Sequence, residues 1–271
     1  MRAALRSHWP EYLMEAAGLG TIMLVTATVV TAVEALVPAF GVLPAVARRA
    51  MEGSVVTATV VALIYSPWGR QSGAHFNPAV TLTFLWLGRV RPWDAIFYAM
   101  AQIAGGIAGL LLAFLLLGTI VSVPPVTWII TVPGANGTAI AFVTELLCAF
   151  LLMVVVLTVG GMPSFARLTG LAVGGVVFLC VLLAAPLSGF SINPARSLAS
   201  ALPAGVWTAF WVYLLAPPLG MLAAALANRH AHLPQMRCAK LIHDETVRCI
   251  HCGFRPMQRH ALPSVPSAGR S

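Results

Sequence analysis

The 271-residue chain is 59% hydrophobic and only 9% charged, whereas a soluble domain carries roughly 25% charged residues. This composition excludes a soluble globular protein and indicates an integral membrane protein. The formal net charge of +8 comes from basic residues that flank the apolar runs, a pattern typical of topology signals and contact with anionic lipid rather than of nucleic-acid binding.

Six apolar runs are long enough to cross a bilayer as helices, which need about 20 residues each. In chain order they fall at about 11–33, 47–66, 93–118, 138–161, 167–187 and 207–228. Residues 1–10 precede the first run and residues 229–271 form a polar tail after the last. The sequence therefore predicts an all-α membrane protein, and no combination of nucleophile and base indicates an enzyme.

Two shorter apolar segments, at about 77–87 and 194–203, each begin with Asn-Pro. Proline is favoured at the first position of a helix and asparagine is a good N-cap, so each segment predicts a helix that starts at this pair. Neither segment is long enough to span. Because non-helical backbone at membrane depth is tolerated only where it lines a cavity or packs in protein, we expect two re-entrant loops, each followed by a half-helix.

The segments 72–80 and 188–196 are near copies, reading SGAHFNPAV and SGFSINPAR. Each half of the chain, about 11–118 and about 138–228, holds three spans and one of these copies. Because three is an odd number, the second half enters the membrane from the opposite face, and the two half-helix N-termini meet near the midplane. The sequence therefore predicts an inverted repeat around a central transport site.

The distribution of basic residues predicts the orientation. With six spans, the side that holds both termini carries thirteen of the sixteen Lys and Arg residues, and the opposite side carries three. Cytoplasmic segments carry an excess of Lys and Arg, so both termini are predicted to be cytoplasmic. Without the tail the count is still six against three. We expect the protein in a plasma or inner membrane.

Asn-Pro-Ala occurs twice, once in each half, and an arginine follows the second occurrence directly. These residues are Asn77, Pro78, Ala79, Asn193, Pro194, Ala195 and Arg196. We call the two Asn-Pro-Ala motifs the first and the second box. By these two boxes the chain resembles the aquaporin and aquaglyceroporin family (major intrinsic proteins) over about residues 11–228. The resemblance implies six transmembrane helices with two re-entrant half-helices, a homotetramer with one pore per subunit, and a passive channel that needs no cofactor for transport.

The boxes also carry a physical expectation. Each half-helix directs its N-terminal dipole, about half a positive charge, at the centre of the pore, which opposes the passage of cations. Asn77 and Asn193 each present an amide donor to a passing oxygen, so that a water molecule held there interrupts a proton wire. Arg196 is predicted near the outer mouth, where it binds oxygens of water or alcohols and repels cations.

Glu15 and Glu145 are acidic residues within predicted spans. One interpretation is a proton relay, which would make the protein an ion-coupled transporter. The other is that each accepts hydrogen bonds from backbone N–H groups of the re-entrant loops, and the family resemblance implies this second role. By the same resemblance His75 lines the cytoplasmic vestibule, with ordinary packing inside the loop as the alternative.

The resemblance further implies a constriction of four residues, which counting back from the boxes without gaps maps onto this chain. The positions are Thr57, Val181, Phe190 and Arg196. Strict water channels of the family typically carry Phe, His, Cys and Arg there, so Thr57 and Val181 predict a wider pore, and Phe190 suits the alkyl backbone of a polyol. Other residues resemble those of water channels: Ser197, Ala201, Phe210 and Trp211. We favour a channel for water and small uncharged solutes such as glycerol, with a strict water channel as the alternative.

The tail carries four soft metal ligands within fifteen residues, namely Cys238, His243, Cys249 and Cys252. Such ligands suit a tetrahedral zinc site, and a reducing cytoplasm disfavours disulfides. We interpret the segment 238–252 as a zinc-binding site, with reduced cysteines in a disordered basic tail as the alternative. Because the pore is expected within 11–228, conduction is predicted not to depend on this site.

Overall fold

The computed structural model describes residues 1–36 and 43–256. This part of the chain is built from α-helices and contains no β-strand, so the predicted all-α architecture is confirmed. The helices are α1 (Arg2–Val30), α2 (Ala45–Tyr65), α3 (Pro67–Ser72), α4 (Pro78–Trp86), α5 (Pro92–Leu117), α6 (Gly137–Gly161), α7 (Thr169–Ser188), α8 (Pro194–Ala204) and α9 (Phe210–His230). A π-helical segment, Thr31–Leu36, continues α1, and short 3-10 turns lie at Gly118–Val121, Thr127–Ile129 and Ala166–Leu168.

Five helical segments of the described chain are long and apolar enough to cross a bilayer. They are Arg2–Glu34, Pro92–Val121, Gly137–Gly161, Ala166–Ser188 and Phe210–His230.

Helix α2 lies at the second predicted span, 47–66, which is the one predicted span absent from these five segments. Its 21 residues equal the length of α9, but Arg48, Arg49 and Glu52 make its first turns more polar. It packs against α1 and α7. We therefore assign α2 as the remaining span by its place in the bundle, because its composition alone is marginal.

The two half-helices begin where the sequence predicted, at Pro78 and Pro194. Their N-caps are the box asparagines: Oδ1 of Asn77 accepts from the Ala79 N–H at 2.9 Å, and Oδ1 of Asn193 accepts from the Ala195 N–H at 3.0 Å. With 9 and 11 residues, α4 and α8 cover roughly 14–17 Å at 1.5 Å per residue. Both are therefore too short to span a bilayer.

The long helices pair in the same way in both halves, α1 along α5 and α6 along α9. Glycines allow these backbones to approach closely. A Cβ added at Gly105 would overlap the carbonyl oxygen of Ala16, and one added at Gly220 would overlap that of Leu146. Small residues at helix contacts are the usual basis of packing inside membranes, where apolar burial drives little association. The half-helices α4 and α8 each pack against α5 and α9, and they also contact each other. This packing brings the two box regions together.

The described part of the tail folds back onto the helix bundle at the side where α9 ends. Its buried residues are Met236, Cys238, Ala239, Lys240, Leu241, Cys249 and Ile250. They contact the end of α6, the start of α1 and the loop before the first box, as detailed below. Of the predicted tail, 229–271, the structure describes residues 229–256, and residues 257–271 lie outside the described part.

Candidate functional site

A cavity of about 230 Å³ lies between the two box regions and is lined by both halves of the chain. We call residues 72–77 the first loop and residues 188–193 the second loop. Asn77 and Asn193 both face this cavity. Most of its remaining wall is apolar, with valines from α2, α6 and α7. The cavity therefore has the position expected of a central transport site.

The box asparagines also link the two loops. Nδ2 of Asn77 donates to the Ile192 carbonyl oxygen at 2.8 Å, and Nδ2 of Asn193 donates to the Phe76 carbonyl oxygen at 2.8 Å. An amide nitrogen carries two hydrogens, so each asparagine has a second N–H on the cavity wall. The pair can therefore hold the loops and offer two donors to a passing oxygen.

Glu15 on α1 is fully buried and receives four hydrogen bonds around the first loop. The donors are Ser72 Oγ at 2.7 Å, His75 N at 3.1 Å, Phe76 N at 2.6 Å and Gln102 Nε2 at 2.8 Å. Two of these donors are backbone groups of the loop, as the loop-support interpretation expects. The carboxylate thereby satisfies N–H groups that would otherwise be buried without partners.

Glu145 on α6 does the same for the second loop. It accepts from Ser188 Oγ at 2.7 Å, from Ser191 N at 2.8 Å and from Ile192 N at 2.6 Å. The Tyr213 hydroxyl donates to the Ser188 carbonyl at 2.7 Å. The two glutamates therefore hold equivalent loops in equivalent ways.

Both loops adopt left-handed backbone at matching positions. These are Gly73, Ala74 and Phe76 in the first loop and Gly189, Phe190 and Ile192 in the second. Residues other than glycine avoid this conformation, which costs of order 1–3 kcal/mol each. The hydrogen bonds to the glutamates compensate for this strain, and the left-handed turns direct the loop N–H groups at the carboxylates.

Three of the four predicted constriction residues, Val181, Phe190 and Arg196, line the cavity. Thr57 is not on the described wall, where α2 instead presents Val56. The prediction of Thr57, made by counting without gaps, is therefore corrected by one residue, to Val56. Residues one apart on a helix differ in direction by about 100°, and the Thr57 methyl faces α7, within 3.2 Å of the point where a Cβ on Gly174 would lie.

Glu52 is a cavity residue that the sequence did not single out. It lies one turn before Val56 on the same face of α2 and lines the cavity together with Arg196. Glu52 Oε1 and Arg196 Nη1 are buried and have no hydrogen-bond partner within the described residues. The cavity lining therefore includes an acceptor on α2 and a donor on α8. A charged residue inside an apolar run, in register with the constriction, was the signal in the sequence.

The four predicted metal ligands of the tail come together. One ligand atom from each of Cys238, His243, Cys249 and Cys252 lies within 4.8 Å of the other three. The sulfur atoms of Cys238 and Cys249 are 3.4 Å apart, and His243 Nε2 is 3.3 Å from the Cys252 sulfur. Tetrahedral zinc with bonds of about 2.0–2.3 Å separates its ligands by roughly 3.3–3.8 Å. The cluster therefore fits one zinc ion.

The tail also contacts the first loop and the cavity. Leu241 lines the cavity, and its N–H donates to the Gly73 carbonyl at 3.1 Å. His75, expected in the vestibule, has its Nε2 2.8 Å from the Ala239 carbonyl. Burial and the nearby His75 ring lower the pKa of His251 to about 4, so this tail imidazole is neutral. The sequence predicted a pore within residues 11–228. This prediction is corrected, because the tail folds back onto the mouth of the cavity and Leu241 lines it.

Comparison with known proteins agrees with this architecture. The family model described as "Major intrinsic protein" matches residues 5–228, and the chain belongs to this family, whose members are membrane channels and not enzymes. A probable aquaporin NIP-type of Nicotiana alata is 41% identical over 169 residues, covering 61% of this chain and 60% of that protein. The putative aquaporin NIP4-1 of Arabidopsis thaliana is 43% identical over 166 residues, covering 60% of this chain and 56% of that protein.

These alignments span about three fifths of the length of the curated relatives. The X-ray structure of the aquaglyceroporin from Plasmodium falciparum superposes with a TM-score of 0.71 at 21% identity, covering 84% of this chain and 98% of that one. At this identity the likeness concerns the fold. The protein is thus a multi-pass integral membrane protein with an aquaporin-like fold.

Proposed function

We propose that the protein is a passive channel that conducts water and small uncharged solutes through the central cavity. The observation that carries this proposal is the meeting of two half-helix N-termini at one cavity, with Asn77, Asn193 and Arg196 on its wall. Two partial positive charges and a guanidinium repel cations, while amide N–H groups bind neutral oxygens. Glu15 and Glu145 are engaged by loop donors, which favours a loop-supporting role over ion coupling.

Stopped-flow light scattering on proteoliposomes tests the proposal. Vesicles with the protein should equilibrate water, and then glycerol, faster than protein-free vesicles of the same lipid. The flux should be independent of membrane potential and of a proton gradient, because no charge moves. Accumulation of a solute against its own gradient, driven by protons or sodium, would contradict a passive channel.

We infer that the pore admits solutes wider than water. The support is the aliphatic wall formed by Val56 and Val181, which leaves space that a bulkier side chain would fill. Val56→Trp should reduce glycerol flux more than water flux. Thr57→Phe is the matched control, since that side chain faces α7 and should lower stability without selecting between solutes. A wild-type protein that conducts water but neither glycerol nor urea would instead support a strict water channel.

Glu52 and Arg196 favour solutes that carry several hydroxyl groups. A solute with several hydroxyl groups can donate to the Glu52 carboxylate and accept from the Arg196 guanidinium at two points of the same cavity lining. Glu52→Gln should therefore lower the glycerol-to-water permeability ratio. Glu34→Gln is the control: it removes an acidic charge that is paired with Arg48 at 2.9 Å and is not on the described cavity wall. Equal ratios in the two variants would remove Glu52 from the filter.

We also propose a homotetramer with both termini in the cytoplasm. The orientation is supported by the distribution of Lys and Arg, and the assembly by the family resemblance. Fusion of a reporter that is active on only one side of the membrane, placed after the tail, tests the orientation. Mass measurement in mild detergent tests the assembly, and finding only monomers would count against the tetramer.

We infer that the tail cluster holds one structural zinc ion through Cys238, His243, Cys249 and Cys252. The spacing of the ligand atoms supports this assignment. Metal analysis of the purified protein should give about one zinc per chain, as a closed four-ligand site requires. Cys249→Ser should lose the metal, whereas Cys148→Ser, a cysteine in α6, should retain it. Absence of zinc from the wild-type protein would remove the assignment.

A further inference from the structure

We propose that the zinc-holding part of the tail is a cap on the pore, with the Leu241 side chain as its plug, and that loss of the metal releases the cap. This inference rests on the proposed channel function. Leu241 is 5% exposed and lines the central cavity beside His75 and Asn77. Of the described tail residues, it alone reaches that wall. A branched apolar side chain at the mouth occupies the path that a solute would take.

The segment before the plug docks on the first loop through backbone groups. The Ala239 carbonyl lies 2.8 Å from His75 Nε2, and the Leu241 N–H donates to the Gly73 carbonyl at 3.1 Å. Gly73 has a φ of 112° and a Cβ there would come within 3.3 Å of Lys240 Cγ. The glycine thus provides both the left-handed turn and the room for the tail.

A second segment of the tail, around His251, covers the same loop. His251 Nε2 lies 3.0 Å from the Ser72 carbonyl, and the His251 ring stacks on the His75 ring with centroids 5.6 Å apart. His75 and the loop carbonyls are groups that a solute entering from this side would meet. The docked tail therefore occupies hydrogen-bonding positions at the mouth as well as its space.

Charged groups hold the cap against α1. The Arg248 guanidinium donates to Glu11 Oε2 at 3.1 Å and to the Ser7 carbonyl at 2.9 Å. Glu11 is fully buried. Lys240, which is 1% exposed, joins two parts of the tail, since its ammonium donates to the Arg248 carbonyl at 3.1 Å. Buried charges are tolerated only when they are paired. These partners exchange for water when the tail leaves, which makes the docking reversible.

The metal ligands lie next to both docking segments of the tail. Cys238 directly precedes Ala239, and Cys252 directly follows His251 in the sequence. A metal ion bound by both cysteines holds the two segments together at the mouth of the cavity. Structural zinc supplies folding free energy to small segments. Without it, the ordering entropy of this short segment is no longer offset, so metal occupancy and plug position are coupled.

The first experiment removes the metal from the full-length protein in proteoliposomes. Water permeability and zinc content are measured before and after treatment with a membrane-permeant chelator. Permeability should rise on the order of tenfold, which corresponds to about 1.4 kcal/mol of lost docking free energy. Cys249→Ser should start at the high value and be insensitive to the chelator, whereas Cys148→Ser should behave like the wild type.

The second experiment removes the plug and keeps the metal. Leu241→Gly should raise permeability while zinc content stays at the wild-type level. Leu233→Gly, at a tail residue that is 36% exposed and outside the cavity wall, should change neither. This pair separates blockage by the side chain from a general disturbance of the tail, and it does not depend on whether Cys249→Ser folds.

The outcomes separate the cap from the channel. If the wild type conducts and neither zinc removal nor Leu241→Gly raises its permeability, the cap is overturned and the channel stands. A fall in permeability on zinc removal overturns the cap as well. If neither the wild type nor any variant conducts, with or without zinc, the channel function fails and the cap fails with it.

Discussion

The first and second loops are held in the same way but have different surroundings. In each, a buried glutamate accepts two backbone N–H groups and a serine hydroxyl, Glu15 for the first loop and Glu145 for the second. A tyrosine hydroxyl donates to the serine carbonyl at 2.7 Å in both, from Tyr98 and from Tyr213. The duplicated halves therefore share more than a box. Each has the same set of hydrogen bonds from a glutamate, a serine and a tyrosine, which we call the frame of its loop.

The surroundings of the loops differ because residues outside the repeat differ. The first loop is covered by the tail through Ala239, Leu241 and His251. Arg196, which follows the second loop, and Glu52 on α2 line the cavity with side-chain atoms that have no partner within the described chain. The shared hydrogen bonds position both loops at the cavity, and the tail makes the two loops unequal because it covers only the first of them within the described chain. The predictions below test how equivalent the frames are.

The largest loss of stability is expected when the glutamates that hold the two loops are replaced. Glu15→Ala and Glu145→Ala each leave two buried backbone N–H groups without an acceptor, at about 1–3 kcal/mol per group. Each variant should lose about 2–6 kcal/mol of stability by that count, seen as a large fall in the melting temperature of the protein in detergent. Glu52→Ala should have little effect on melting. A stable Glu15→Ala beside an unstable Glu145→Ala would show that the frames are not equivalent.

An intermediate loss of stability is expected when alanine replaces a glycine at which two helices are in contact. Gly105→Ala and Gly220→Ala place a methyl group against the backbone of the paired helix, at Ala16 and at Leu146. Overpacking of this kind costs about 1–3 kcal/mol. Both variants should melt at lower temperature by similar amounts. Gly175→Ala is the control, because nothing lies within 4 Å of its added Cβ, and it should melt like the wild type.

The smallest effect should distinguish the two loops. Tyr213→Phe removes the hydroxyl that donates to the Ser188 carbonyl, at about 0.5–1.5 kcal/mol. Tyr98→Phe should cost less, since His251 lies 3.0 Å from the Ser72 carbonyl and can donate in its place. In a His251→Ala background the two tyrosine substitutions should become equal in their effect on melting temperature. Equal effects without that change would mean that the tail does not support the first loop.

Local sequence signals predicted most of the frame. The Asn-Pro pairs placed the starts of α4 and α8 because capping and the fixed φ of proline act over a few residues. The long apolar runs predicted the spans, and α2 was marginal only because three charges lie in its first turns. The ligand spacing in the tail predicted the cluster of Cys238, His243, Cys249 and Cys252, whose atoms do converge.

The errors of the sequence analysis concern the direction of side chains on α2 and the docking of the tail. Counting without gaps selected Thr57, but a single step along α2 turns the side chain by about 100°, and Val56 faces the cavity. Glu52 was overlooked because its importance depends on which face of α2 lines the cavity. The tail was expected to lie apart from the pore, and its docking depends on a glycine turn, a buried glutamate and a histidine that are distant in the sequence.

The sequence by itself determined the membrane class, the duplicated half, the helix starts and the four soft ligands, because each follows from composition or from contacts between near neighbours in the chain. Only the tertiary structure decided which side of α2 faces the cavity and that Leu241 reaches its wall. Helix rotation and tail docking are set by packing between segments far apart in the sequence, and no local pattern encodes them.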